Sequence, residues 1–206
     1  MKPLEECRLY TFVDTAYLHG RDPAKIAREL CDGGSDLIQL RAKQQAPDEV
    51  RQMAEAILPI TKAAEVGLVI NDYPEIAEEV GADLCHLGQE DFFDFGVRSG
   101  VPFGLSSHAA EQAQRALAAN PAYIAIGPVY ATGTKPTAKA VGLDYVRWAA
   151  SNATLPWFAI GGITLENVDE VLRAGARRIC VVSAILNAPD IRNACQAFGE
   201  RLRSAA

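Results

Sequence analysis

No uninterrupted apolar run in the 206-residue chain approaches the roughly 18 residues that cross a bilayer. Met1-Lys-Pro-Leu-Glu-Glu leads straight into a strand-like segment without an apolar leader, so a cytoplasmic location is expected. Cysteine is sparse and scattered: Cys7, Cys31, Cys85, Cys180 and Cys195 stand singly, with no CxxC and no Cys/His ligand spacing. That excludes a disulfide framework or a structural zinc site and predicts reduced, buried thiols. Basic charge is not in surplus either. Lys plus Arg number 20 against 26 Asp plus Glu, a net charge of −6 with the signs interleaved. A nucleic-acid surface, which needs a broad basic face, is therefore disfavoured, while a few cations converging in one cleft for a small anion are compatible. Linkers, low-complexity segments and charge blocks are absent as well, which predicts one domain over residues 1–206. With 22% charged and 49% hydrophobic residues, disorder, collagen-like repeats and coiled coils are also poor fits.

What the chain does have is an alternation of short apolar runs with longer amphipathic stretches, the pattern of βα units around a parallel sheet. Eight strands are predicted, at Arg8–Asp14, Asp36–Arg41, Gly67–Asn71, Leu84–Gly88, Phe103–Ser107, Tyr123–Gly127, Trp157–Gly162 and Arg178–Ser183. Several are apolar at consecutive positions, as a strand covered on both faces requires. Helices are predicted at Ala24–Cys31, Asp48–Ala64 with a kink or break at Pro59, Glu75–Val80, Ala109–Ala119, Asp144–Ala150, Leu165–Ala174 and Pro189–Arg203. The segment Asp91–Gly100 is too short for an assignment. Eight units at about 26 residues each suit a (β/α)8 TIM barrel. The rival, a doubly wound open sheet, commonly carries a Gly-rich turn after its first strand, and Asp14-Thr-Ala-Tyr-Leu-His has none.

Barrel enzymes gather their chemistry at the C-terminal strand ends. The second strand ends Gln39-Leu-Arg41-Ala-Lys43, which puts Gln39, Arg41 and Lys43 on one side of an extended segment and aims two cations at one spot, where a bound anion would satisfy them. The third ends in Asn71-Asp72, and the fourth runs into Gln89-Glu90-Asp91. Asp72 and Asp91 beside two cations suit Mg2+, which takes one or two carboxylates plus substrate phosphate oxygens. On the fifth strand, Ser106 is read as the ligand contact in preference to His108. The sixth leads into Gly127-Pro-Val-Tyr-Ala-Thr132-Gly-Thr134-Lys135, which is not a Walker loop. Its hydroxyls, backbone N–H groups and Lys135 can nevertheless surround a phosphate. Gly161-Gly162 and Val182-Ser183 end the last two strands, where such barrels most often bind phosphate. Two anion sites are expected, a metal-assisted one across strands two to four and a monophosphate one across strands six to eight.

Seven segments in this order, Gln39-Leu-Arg-Ala-Lys43, Ile70-Asn-Asp72, His86-Leu-Gly-Gln-Glu-Asp91, Gly104-Leu-Ser-Ser-His108, Gly127 to Lys135, Ile160-Gly-Gly-Ile163 and Val182-Ser-Ala-Ile185, resemble the thiamine phosphate synthase family over nearly the whole chain. The resemblance implies a transferase that joins 4-amino-2-methyl-5-hydroxymethylpyrimidine diphosphate to 4-methyl-5-(2-phosphoethyl)thiazole. Diphosphate would leave first, giving a pyrimidine carbocation that the thiazole nitrogen captures. It implies that Gln39, Arg41, Lys43, Asn71, Ser106 and Lys135 hold the pyrimidine diphosphate and that Asp72 and Asp91 bind Mg2+. Thr132, Thr134, Gly162, Val182 and Ser183 would hold the thiazole phosphate. The catalytic groups are then Arg41, Lys43, Ser106 and Lys135. The related thiazole tautomerases share the barrel and would use a His near position 108 as acid/base; Lys43, Asp72, Asp91 and Lys135 together favour the synthase. A barrel that binds thiamine precursors without turnover is a third reading. An assembly of identical chains is compatible with the sequence.

Overall fold

The apolar runs read from the sequence are buried strands: Leu37, Ile38, Leu40, Leu68, Val69, Ile70, Ile124 and Ile126 are all fully covered. A parallel strand flanked by helices outside and by its neighbours' side chains inside has no wet face. The computed structural model describes residues 1–96, 99–134 and 138–205. Among them, eight parallel strands close a barrel in sequence order, β8 pairing back onto β1. The strands are β1 (Leu9–Asp14), β2 (Leu37–Arg41), β3 (Gly67–Asn71), β4 (Leu84–Leu87), β5 (Phe103–Ser107), β6 (Tyr123–Ile126), β7 (Trp157–Ile160) and β8 (Ile179–Cys180).

The helices that cover them are α1 (Pro23–Asp32), α2 (Pro47–Ala63), α3 (Pro74–Val80), α4 (Gln89–Phe95), α5 (Ala110–Ala118), α6 (Gly142–Asn152), α7 (Val168–Arg173), α8 (Ser183–Leu186) and α9 (Ile191–Ser204). The start signals act as expected. The Asp22 carboxylate accepts from the Ala24 and Lys25 N–H groups ahead of Pro23, and Asp190 accepts from Asn193.

Several boundaries differ from the sequence reading. Pro59 does not break α2. Pro59 and Glu55, whose carbonyl loses its usual donor, are both exposed, so water can take the bond. Strands four, six, seven and eight stop one to three residues early, because the chain must turn into the mouth. At β7 the turn is made by Gly161 and Gly162, with φ of +102° and +64°. A Cβ at Gly161 would lie 2.3 Å from Pro128, and one at Gly162 would lie 2.6 Å from the Ala131 carbonyl. The unassigned segment after β4 contains α4, held by Phe92 stacked on Phe103 at 4.8 Å between ring centroids. The four-residue α8 and a 3-10 turn at Thr15–Tyr17 carry too little periodicity to be read in advance.

Inside the barrel, Tyr10, Phe12, Tyr123 and Phe158 form an aromatic plug with ring centroids 5.3 to 5.7 Å apart. It is the floor on which the site stands. Phe158 is fully buried, and truncating such a ring typically costs about 3–5 kcal/mol.

Candidate active site

Register decides which side chains meet at the mouth. Asp14 of β1 lies level with Arg41 of β2, and the Arg41 guanidinium donates to Asp14 at 2.8 Å. Asp14 is 1% exposed and its other oxygen caps the 3-10 turn by accepting from Ala16. Lys43, two residues past Arg41, reaches the other way and meets Asp72 beyond β3 at 2.6 Å. The cations of the second strand therefore do not aim at one spot, as the alternation suggested. They straddle β2, each held by a carboxylate from a different neighbouring strand, and both border the same cavity. Asp72 sits at φ +65°, a left-handed conformation that Asp tolerates better than bulkier residues, and its N–H is tied to the His86 carbonyl. Asn71 is nearly buried beside it, level with His86.

Beneath these charges runs a chain of hydrogen bonds the sequence did not reveal. The Gln39 amide nitrogen donates to the Tyr10 hydroxyl at 2.6 Å, and that hydroxyl lies 2.8 Å from Tyr123 Oη. Tyr123 Oη is 2.9 Å from His86 Nδ1, and His86 Nε2 is 2.9 Å from Ser106 Oγ. Burial is the first cause pushing the His86 pKa down to about 4, so the ring is a neutral imidazole at physiological pH. Burial likewise holds the Tyr10 and Tyr123 hydroxyls well above their usual range. The neighbouring Ser107 hydroxyl is instead engaged by the Ala125 carbonyl and by Tyr145, whereas the Ser106 hydroxyl meets His86. His86 could have been singled out: it is a polar residue at an inward position of an apolar strand, and such a group needs a partner.

Across the mouth, the Thr134 N–H donates to Thr132 Oγ1 at 3.3 Å, and Thr134 Oγ1 lies 3.1 Å from the Tyr17 hydroxyl. The loop after β7 is pinned by Asn167, which donates to the Gly162 carbonyl at 2.9 Å. Val182 turns the chain from β8 into α8, where Ser183 is the first residue. His108 Nδ1 donates to the Gly127 carbonyl at 2.5 Å, and the His108 backbone N–H donates to Gln112 Oε1. Lys135 lies outside the described residues. The remaining residues assigned to ligand binding in the sequence, Gln39, Arg41, Lys43, Asn71, Asp72, Asp91, Ser106, Thr132, Thr134, Gly162, Val182 and Ser183, all border one cavity of about 500 Å³.

The donor set suits a hard cation completed by substrate. Among the described residues no three His, Cys, Asp or Glu side chains converge. Asp72 and Asp91 nevertheless both border the cavity, and Gly88, where a Cβ would lie 2.9 Å from the Asp91 carboxylate, leaves that carboxylate room. One or two carboxylates, with phosphate oxygens and water completing the shell, are how Mg2+ is commonly held, and these two are of that chemistry.

A closed parallel barrel with paired charges on one side of its mouth and hydroxyls and glycine turns on the other defines a barrel enzyme for phosphorylated small molecules. Residues 9–185 match the family model for thiamine monophosphate synthase. A thiamine-phosphate synthase of Thermus thermophilus is 47% identical over 178 residues, 84% of this chain and 86% of that protein. One from Acidothermus cellulolyticus is 42% identical over 210 residues, 98% of each. The solved structure of a thiamine phosphate pyrophosphorylase from Pyrococcus furiosus superposes with a TM-score of 0.86 at 25% identity, covering 99% of both chains. The chain belongs to the thiamine monophosphate synthase family.

Proposed function

We propose that the chain joins 4-amino-2-methyl-5-hydroxymethylpyrimidine diphosphate to 4-methyl-5-(2-phosphoethyl)thiazole, forming thiamine phosphate and releasing diphosphate. The observation that carries this reading is that one cavity has Arg41, Lys43 and Asp72 on its β2–β3 side and Thr132, Thr134, Gly162 and Ser183 on its β6–β8 side. Two phosphorylated substrates can thus lie head to head.

The bond between the pyrimidine methylene carbon and the diphosphate oxygen breaks, both electrons leaving with diphosphate, and the thiazole nitrogen lone pair forms the new carbon–nitrogen bond. Arg41 and Lys43 hold the diphosphate and counter its charge as it grows. Asp14 keeps the Arg41 guanidinium in place. Gln39, Asn71 and Ser106 orient the pyrimidine above the aromatic plug. Thr132, Thr134 and the backbone around Gly162 and Val182-Ser183 seat the thiazole phosphate, so that its ring nitrogen faces the reacting carbon. Lys135, in the loop beyond Thr134, is assigned to the diphosphate. Asp72 and Asp91 would hold Mg2+, which when bound would neutralise departing diphosphate charge.

The partners are accordingly small phosphorylated molecules. The chain acts as one domain, and a reducing, cytoplasmic compartment agrees with its five free thiols. Incubating the protein with both substrates, with and without Mg2+, tests the reading: thiamine phosphate should form in a Mg2+-dependent manner. Turnover of either substrate without that product would overturn it.

A further inference from the structure

We propose that the buried chain Gln39, Tyr10, Tyr123, His86, Ser106 runs in one direction, fixing His86 as the Nε2–H tautomer and leaving the Ser106 hydroxyl as a hydrogen-bond donor that reads a ring-nitrogen lone pair of the heterocyclic substrate.

The direction follows from counting protons. An amide nitrogen can only donate, and the Gln39 nitrogen is the atom placed 2.6 Å from Tyr10 Oη. A phenol has one proton, so Tyr10, receiving from Gln39, passes its own to Tyr123 Oη at 2.8 Å. Tyr123 then gives its proton to His86 Nδ1 at 2.9 Å, which must be unprotonated. An imidazolium there would point a second N–H at Tyr123 Oη, which would accept twice and strand its own proton in a fully buried site. The imidazole proton therefore sits on Nε2 and is donated to Ser106 Oγ, 2.9 Å away. With its oxygen engaged, Ser106 offers the cavity its hydrogen. His86 acts as a positioning residue through Ser106, and Gln39, three groups further back, sets the sense of the whole chain.

The opposite polarity would make Ser106 an acceptor suited to an amino group. Discriminating an aromatic ring nitrogen from an isosteric C–H needs a donor at the contact, because a lone pair left unpaired in a dry pocket costs far more than one left in water. The identity of the heterocycle rests on the function proposed above; the polarity does not.

The chain has three histidines, so selective 15N-histidine labelling with a His86→Gln variant for assignment isolates the His86 signals. In the ligand-free wild type the Nδ1 resonance should be pyridine-like and the Nε2 resonance pyrrole-like. In Gln39→Glu, where an ionised side chain can only accept, every bond reverses and the two signatures should exchange. A wild-type Nδ1–H tautomer overturns the proposal whether or not that variant folds. As a second arm, calorimetry without Mg2+ or thiazole phosphate compares the pyrimidine diphosphate with analogues carrying C–H in place of each ring nitrogen. One analogue should bind at least tenfold more weakly to wild type and match the parent on Ser106→Ala. Equal wild-type binding of all analogues overturns the donor role. Absence of thiamine phosphate synthesis alongside an Nε2–H ring would instead overturn the assigned substrate and leave the polarity standing.

Discussion

Lys43 Nζ lies 2.6 Å from Asp72 Oδ2, so the cation assigned to diphosphate and the carboxylate assigned to the metal are paired with each other. Lys43 is half exposed, and such a pair contributes at most about 1 kcal/mol to stability.

Lys43→Ala should therefore leave the unfolding midpoint nearly unchanged while raising KM for the pyrimidine diphosphate and lowering kcat, since a cation beside a leaving group acts most strongly as charge develops. Asp72→Asn and Asp91→Asn should each remove most turnover without unfolding the barrel. Mg2+ titrations of initial rate check the assignment, and an unchanged Mg2+ dependence in both variants would defeat it.

Gly104 and Tyr123 are paired across β5 and β6, and a Cβ at position 104 would lie 2.1 Å from the Tyr123 ring. The ring occupies the space the missing side chain leaves. Gly104→Ala should cost about 1–3 kcal/mol by overpacking and should also displace Tyr123 from His86. Denaturant unfolding measures the first effect, and a changed His86 nitrogen signature reports the second. A variant as stable as the wild type would mean the ring has room to move.

Much of this was legible in the chain. Consecutive apolar residues in β3 and β6 gave the parallel sheet, and polar residues closing the strand runs at Arg41, Asp72 and Ser106 marked the mouth. What escaped was lateral. Period-two alternation put Arg41 and Lys43 on one side, but β2 ends at Arg41, and the pairing of Asp14 with Arg41 depends on interstrand register, which a single strand's pattern does not contain. The Tyr10, Tyr123 and His86 chain was hidden for the same reason. Each looks like one more apolar or lone polar strand residue until barrel closure brings β1, β4 and β6 to a common interior.

The thiols offer a pH test. Burial raises Cys7 and Cys31 from 9.0 to about 11, and Cys85 and Cys195 to about 12. A group whose folded pKa is raised contributes fully below its unfolded value, and that contribution is lost as pH climbs from about 9 towards 12, where the unfolded chain releases protons the folded one keeps. Stability should fall across that window, and less steeply in a Cys85→Ala, Cys195→Ala double variant compared with its own neutral-pH value. At pH 8.5 the native protein should resist iodoacetamide while the urea-unfolded chain takes up label at all five cysteines; rapid labelling of the native protein would contradict the burial argument.

His108 distinguishes synthase from tautomerase chemistry. Its ring Nδ1 is bonded to the Gly127 carbonyl and its backbone N–H to the Gln112 side chain, so the residue braces the start of the loop carrying Thr132 and Thr134. His108→Ala should lower thiamine phosphate formation only several-fold, through lost positioning. A general acid/base would lose about 10²- to 10⁴-fold. Robust isomerisation of a thiazole phosphate that this substitution abolishes, with no thiamine phosphate formed, would reverse the assignment.

Ser183 and Thr134 stand on the far side of the cavity from Lys43, and that separation is what a two-substrate site requires. Ser183→Ala and Thr134→Val should raise KM for the thiazole phosphate more than for the pyrimidine diphosphate, each lost charge-assisted hydrogen bond costing about 1.5–3 kcal/mol, or roughly 10- to 150-fold. Thr134 also meets the Tyr17 hydroxyl at 3.1 Å, so its substitution removes a loop contact as well as a ligand contact. Tyr17→Phe separates the two, because it breaks the loop contact and keeps the Thr134 hydroxyl. If Thr134 acts on phosphate directly, Tyr17→Phe should shift the thiazole KM far less than Thr134→Val does. Steady-state kinetics varying one substrate at a time checks all four variants, Lys43→Ala giving the opposite preference. Equal effects of every substitution on both substrates would refute separate anion sites, whereas equal effects of Tyr17→Phe and Thr134→Val on the thiazole KM alone would assign the loop, and not its hydroxyl, to phosphate binding.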